Sequence, residues 1–592
     1  MRRGKQYRQK PLALFMGLSL CAASWAQPAA PADPPRTPAV VPSGAELSPR
    51  RAVAPSQAEL PAAPMPPPRE LGKPEDSIRV DVLRYEVDDS APAALKARLA
   101  ELTAPFVGPG RSFEDLYNAR VEVTRFLQSE LGYYLGYAYV PEQTLTGGVV
   151  RIAVLEGRLD KVVTRWPSGR ELPVRRDVVQ AYLDHLKEGS ILLVRDVERV
   201  VFLVNDLLGL RARFEVTAGS RPGTANIEVD FDAAPRWSAR ADADANGSRF
   251  LGEYRVAGQA QWASPLGRGD ALTANIMRST TGGLNFALLG YASPVGSNGM
   301  KLGVSLSAVQ YQLDKAVFPL DLNGSATTLT AYGLHPFVRS RNLNLFTVLS
   351  AEQKTYEDRQ DVASSRSRKS VSTLSLGLTG DLRDNWLGGG VNTFDASLVS
   401  GRVHYPDGRP GGLEDAANFN KLVFGFSRLQ DLLFVLPTLQ DRNTGKMLAY
   451  ASLRGQWAFA NLDTTEQMRL GGPDAVRAFA SGEAVGDDSL VASLEARLLP
   501  PESWFGRYSS ELVLSAFVDH GVVRYRHQRL RVPAGALPNT GQFTAVGLGM
   551  TWVRPGEYAM RLSLAVPVSG IPRNDTKERK PRLYLQATRF FN

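Results

Sequence analysis

The sequence predicts two small mixed α/β modules followed by a large antiparallel β-barrel that crosses a membrane. Three observations predict this fold class. A leader for export is followed by no apolar helix able to span a bilayer, a β-α-α-β-β order occurs twice, and the C-terminal region alternates apolar and polar residues over many short segments. At 592 residues the chain exceeds one ordinary core, so several domains or a barrel with smaller partners are expected.

Met1 to Lys10 carries Arg2, Arg3, Lys5, Arg8 and Lys10 with no acid, and an apolar run follows from Leu12 to Ala23. Ser24-Trp25-Ala26 places small residues around a cleavage point, so residues 1–26 read as a secretory signal peptide. No later stretch reaches about 18 uninterrupted apolar residues, and no transmembrane helix is expected. The single cysteine, Cys21, lies in the leader, which leaves no disulfide or Cys-based metal site behind it. Leu20, in place of Gly or Ala before Cys21, argues against a lipoprotein. Without the five basic residues of the leader the formal charge falls from +9 to about +4, an excess too small to imply nucleic-acid binding.

Residues 27–75 are dominated by Pro and Ala ("PAAPADPPRTPAVVP", "PAAPMPPPRELGKP") and read as a semi-extended linker. Residues 76–158 then carry a strand from Ile78 to Val87, a helix from Ala91 to Leu102 and a second helix opened by Ser112-Phe113-Glu114-Asp115, which resembles a capping box. Two strands close this module, Tyr137 to Val140 and Val149 to Leu155, with Gly147-Gly148 between them. The order repeats in residues 159–234: a strand from Lys161 to Trp166, helices from Arg175 to Leu186 and Val194 to Leu208, and strands from Ala212 to Ala218 and Ala225 to Phe231.

From residue 235 to 592 the helical period gives way to alternation. Leu302, Val304 and Leu306 interleave with Gly303, Ser305 and Ser307, and Leu374, Leu376 and Leu378 with Ser375, Gly377 and Thr379. About sixteen such segments, with strands of about ten residues, fit an even-numbered transmembrane barrel. A soluble β-sandwich also alternates, but the number of segments behind an export leader favours the barrel.

Signatures of catalysis are missing. The sequence has no G-x-S-x-G elbow, no Walker A loop and no H-E-x-x-H, and His185, His335, His404, His520 and His527 are scattered without ligand spacing. Neither an enzyme nor a cofactor or metal site is expected. The segment Leu512 to Gly521 is more informative. Leu512, Leu514, Ala516 and Val518 would face lipid, which turns Phe517, Asp519 and Gly521 to the lumen, where an acid costs far less than in hydrocarbon. Arg477 lies in a connection, Leu470 to Gly486, longer than a tight hairpin needs. Its composition alone leaves two readings open, a solvated loop charge or an arginine held for a purpose.

Val476-Arg477-Ala478-Phe479 resembles the V-R-G-F/Y loop motif of the outer-membrane transporters of two-partner secretion, the hemolysin-activator (TpsB) type. Phe517-Val518-Asp519-His520-Gly521 is similar to that family's F-x-D-x-G strand motif, in the same order and separation. Upstream, Gly136-Tyr137, Pro141-Glu142-Gln143, Gly148 and the run from Val149 to Glu156-Gly157 resemble the end of its first POTRA domain. The resemblance implies two tandem POTRA domains (β-α-α-β-β), a 16-stranded transmembrane β-barrel in a Gram-negative outer membrane, and a loop folded into the lumen so that Arg477 meets Asp519. It also implies a large secreted exoprotein (TpsA-like) as client, outer membrane lipid around the barrel, and periplasmic chaperones and barrel-assembly machinery during biogenesis. A barrel-assembly factor that inserts other β-barrel proteins is the runner-up, and a diffusive porin leaves the modules unexplained. Three departures stand out: Ala478 replaces the usual Gly, Asn592 follows Phe591 where the family ends on an aromatic insertion signal, and the linker shows no counterpart of the family's plug helix.

Overall fold

The computed structural model describes residues 79–591 except 146, 170, 316–320, 363, 410–414, 433–434, 442–443, 530–536 and 573–580. The assigned signal peptide, the linker and Asn592 lie outside the described residues.

In the first module, Val149–Leu155 is the central strand of three, flanked by Arg84–Val87 (parallel) and Tyr137–Tyr139 (antiparallel). Helices Ala93–Thr103 and Phe113–Arg125 bury Leu95, Leu99, Leu116 and Val123 in one core with Val150 and Ile152. Ser112 completes a capping box: its hydroxyl accepts from the Asp115 N–H at 3.2 Å, and its own N–H donates to Asp115 at 2.8 Å. That second bond, from the Ser112 backbone, holds the Asp115 carboxyl below its ordinary range. Ser112→Ala is expected to cost the module about 1 kcal/mol, read as faster amide exchange in the first turn of this helix. The Asp115 half of the box acts above the carboxylate's unfolded-state pKa and is lost as pH falls through its lowered value.

The expected strand from Ile78 to Val87 is split. Val80–Val82 turns away to pair with Gly108–Arg111 in a separate ribbon. That partner, Gly-Pro-Gly-Arg, consists of residues that normally argue against a strand, which is why its pairing was not legible.

The second module repeats the plan, with Thr224–Ala233 central between Arg158–Arg165 and Leu210–Ala218. Helix Val194–Asn205 contributes Val197, Val200, Val201 and Val204 to its core. The helix stops short of the expected Leu208 because the Asn205 amide bonds the carbonyls of Val201 and Ala212 and accepts the Ala212 N–H. Asp206 is thereby turned to the barrel, where it takes both arms of Arg339 at 2.9 and 2.7 Å. Arg199 adds bonds to the carbonyls of Asn298, Pro336 and Phe337, and Glu198 accepts the Arg341 N–H. Because the Arg339 side chain is fully buried, Asp206→Ala is expected to weaken this dock by about 2–3 kcal/mol, seen as faster exchange of the Arg341 amide.

Sixteen antiparallel strands form the closed barrel, from Trp237–Asp244 to Arg582–Phe591, with the last pairing back on the first. Leu302, Val304, Leu306, Leu374, Leu376 and Leu378 are exposed on the outside, while Ser307 and Thr373 are buried within. In the strand Leu512–Arg524, Ala516 and Val518 face outward as the alternation predicts. Leu512 instead is buried where the chain enters from the turn Gly506–Glu511. The expected length of about ten residues fits the first three strands, but the sixth, seventh and eighth run 18, 18 and 20 residues. Their pairing continues past the apolar belt into polar sequence, where Glu357 bridges Arg359 and Arg366.

Candidate functional site in the barrel lumen

The eleventh strand, Gly445–Ala458, and the twelfth, Asp488–Leu499, are joined by residues 459–487, a longer connection than the expected 470–486. Met468–Arg469 pairs with Val485–Gly486, so the segment doubles back as a hairpin. Its apolar side chains Leu470, Val476, Phe479 and Ala484 cluster with wall residues Val491, Phe517, Val523 and Phe543. An apolar hairpin among side chains that point into the barrel is covered on both sides, and that burial fixes its depth.

Arg477 is at the tip. Its Nε and Nη2 donate to the two oxygens of Asp519 at 2.8 and 2.7 Å, and its backbone N–H reaches the same carboxylate at 3.1 Å. Nη1 donates to Glu495 at 2.8 Å and Nη2 to the Ser493 hydroxyl at 3.0 Å, while Ser493 donates in turn to Asp519 at 2.7 Å. The guanidinium also stacks on Phe517, with Cζ 3.3 Å from the ring centroid. The Arg477 side chain is 11% exposed and Asp519 0%. A planar fork answered by a carboxylate, a second acid and an aromatic face exploits geometry that a lysine cannot reproduce.

Strand register explains the convergence. Ser493 lies opposite Asp519 and Glu495 opposite Phe517 on neighbouring strands, so alternate residues of both present one polar patch to the lumen. Sequence reasoning missed Ser493 and Glu495. The spacing Ser493-x-Glu495-x-Arg497, which repeats on one strand face, was the signal.

Gly521 belongs to the same patch by shape. A Cβ there would stand 2.8 Å from both Leu470 and Val476, so the glycine lets the hairpin lie flush on the wall. Ala478 is buried and is not among the positive-φ residues, so its backbone does not require glycine. Phe479 meets Phe543 edge to face at 4.9 Å, and its carbonyl accepts from the Tyr584 hydroxyl at 2.9 Å.

The remaining sequence-selected residues lie elsewhere. In the first module Tyr137 accepts from Arg120 at 2.6 Å, and the Gly136 carbonyl accepts from Gln128 at 2.9 Å. Gln143 brackets the backbone of Arg151 with two bonds of 2.9 Å and also donates to the Pro141 carbonyl at 3.3 Å. Glu156 pairs with Arg158, and Gly157, at φ +72°, leaves no room for a Cβ against Leu135. Gly136, Tyr137 and Gly157 lie together at the end of the module that meets the second one, where the Gly157 carbonyl accepts from the Leu192 N–H. Phe591 is exposed on the last strand, opposite Ala239. Among the described residues no group of three or more His, Cys, Asp or Glu is placed to hold a metal ion.

Residues 223–538 match the family model described as haemolysin secretion/activation protein ShlB/FhaC/HecB, and residues 80–157 match the POTRA domain, ShlB-type. The chain belongs to the haemolysin secretion/activation family. Members of this family are two-partner secretion transporters of the outer membrane, with POTRA domains on the periplasmic side, and this chain is such a protein translocator. Among curated proteins it is 25% identical over 483 residues to the heme/hemopexin transporter protein HuxB of Haemophilus influenzae, covering 81% of this chain and 82% of that one. It is 26% identical over 390 residues to the outer membrane transporter CdiB of Dickeya dadantii, with 64% and 65% covered. In fold it is similar to the solved structure of CdiB from Escherichia coli, with a TM-score of 0.65 at 19% identity over 89% of this chain and 94% of that one.

Proposed function

We propose that this member of the haemolysin secretion/activation family captures one large, unfolded TpsA-like exoprotein in the periplasm and passes it through the barrel, with the hairpin of residues 459–487 as the gate. The observation that carries the reading is the Arg477–Asp519 pair, which pins a hairpin inside the lumen that a translocating chain must cross. An ion pair with directional hydrogen bonds closes at one depth and opens as a unit, since a half-broken contact leaves a buried charge unanswered.

Capture falls to the modules. Each sheet presents short outer strands, Arg84–Val87 and Tyr137–Tyr139 in the first, Arg158–Arg165 and Leu210–Ala218 in the second. An unfolded client adds a strand to such an edge through main-chain bonds, which demands little side-chain specificity. Export proceeds without catalysis, cofactor or metal. Net direction comes from folding of the client outside, since a folded chain does not re-enter. Outer membrane lipid surrounds the barrel, and periplasmic chaperones with barrel-assembly machinery place it there, Phe591 serving as the terminal insertion signal.

Depleting the protein is the deciding experiment. Loss of one secreted product with other outer-membrane proteins unchanged is the expected result. Broad loss of outer-membrane barrels would instead indicate an assembly factor.

A further inference from the structure

The hairpin is bound at two places, and the second lies away from Arg477. At its root, Asp463 accepts from Lys369 Nζ at 2.7 and 3.0 Å and from the Tyr405 hydroxyl at 3.0 Å. Glu466 takes Lys354 at 2.9 Å and Lys421 at 3.0 Å, and its carbonyl accepts from Lys421 as well. Lys354, Lys369 and Lys421 stand on the seventh, eighth and tenth strands, a different sector of the ring from the twelfth and thirteenth strands that hold the tip. All three ammonium side chains are buried, Lys369 to 1% exposure. The other charges here include Glu352, 3.0 Å from Lys354, the pair Arg526–Asp415 at 3.0 Å, and Arg409, which donates to the Asp415 carbonyl.

We infer that Lys354, Lys369 and Lys421 form a clasp that sets the resting closure of the channel by holding Asp463 and Glu466, and that they become an anion-attracting ring once the hairpin leaves. Three buried ammoniums are tolerable only while carboxylates answer them, so in the closed state the lysines and the root of the hairpin require each other. When the hairpin leaves, Glu352 and Asp415, the latter already paired with Arg526, remain against the three lysines, and water must enter to solvate the cations left unanswered. The open lumen then carries a positive sector that draws anions and acidic stretches of a client. The clasp rests on the gate reading above, yet it makes a separate demand: the closed state must weaken without any change at Arg477.

The test is current through the full-length protein in planar bilayers, with heat-modifiable gel mobility confirming a folded barrel. Asp463→Asn with Glu466→Gln removes the anions and keeps shape, and is expected to raise the open fraction at least about tenfold and to give a chloride-preferring channel. The triple Lys354→Gln, Lys369→Gln, Lys421→Gln variant is expected to open as readily but without that preference. Should the double variant not insert, Asp463→Asn alone, which leaves both lysines on Glu466, reads the same two quantities. An unchanged open fraction in the acid variant, or equal ion preference in acid and lysine variants, overturns the clasp. Arg477→Ala run alongside separates the two ideas. If it opens the channel and the acid variant does not, the clasp falls and the gate stands; if neither opens it, the gate falls too.

Discussion

Arg477→Ala is expected to insert as a folded barrel and to lose at least nine-tenths of its export. The substitution removes the one guanidinium that answers Asp519 and bonds Glu495 and Ser493, leaving Glu495 to Arg497 and Asp519 with no cation among the described residues. Breaking a buried pair by deleting one member costs about 3–5 kcal/mol, because the survivor stays charged and unpaired. Here the survivor is Asp519, wholly buried in the wall, so the energy is lost at the hairpin contact and not in the barrel's strand pairing. Asp519→Ala is expected to match it in export while leaving Arg477 a remaining bond to Glu495. Arg477→Lys keeps the charge but not the fork, and is expected to fall between the unsubstituted protein and the alanine variants. The measurement is client in the medium per unit of heat-modifiable barrel. Unchanged secretion by both alanine variants would refute the latch.

Gly521→Val is the second large expected effect, and it arises from shape alone. The Cβ position is already 2.8 Å from Leu470 and Val476, and two further methyls have nowhere to go. The wall strand is held on both sides by register pairing with Val491 and Phe543, so the hairpin is what must yield. Export is expected to fall as far as in Arg477→Ala with every charge intact; Gly521→Ala is expected to do less. A reporter is available because Cys21, in the assigned leader, is the single native cysteine. Ser481→Cys, buried in the resting hairpin with its hydroxyl on the Asn246 carbonyl, is expected to react with an external thiol reagent faster in the valine background. Equal labelling in both backgrounds would show that the hairpin had not moved.

Much of this architecture was legible because two periods dominate the sequence. Apolar residues at i, i+2, i+4 in Leu302–Leu306 and Leu374–Leu378 encode a wall with one apolar face, and Leu116, Val123 and Leu127 encode a helix stripe. The pairing of Arg477 with Asp519 came from motif resemblance, since no period links a loop to a strand 42 residues away. Ser493 and Glu495 escaped because strand register, which sets them beside Asp519, depends on where the hairpin turns and not on the strand itself. The lysine clasp escaped for the same reason: Lys354, Lys369 and Lys421 look like ordinary outward charges until closure of the ring points them inward. The ribbon strand Gly108–Arg111 was hidden by its own composition.

The uneven strand lengths leave the far mouth of the pore lopsided. Past the end of the ninth strand at His404, opposite Ser370, the eighth strand continues for about five more residues paired with the seventh, at roughly 3.3 Å each, raising a parapet over one sector of the rim. A polypeptide emerging there meets a polar sheet on one flank and open water on the other. Its first fold outside therefore begins beside a template of strands, already biased in the direction it can leave.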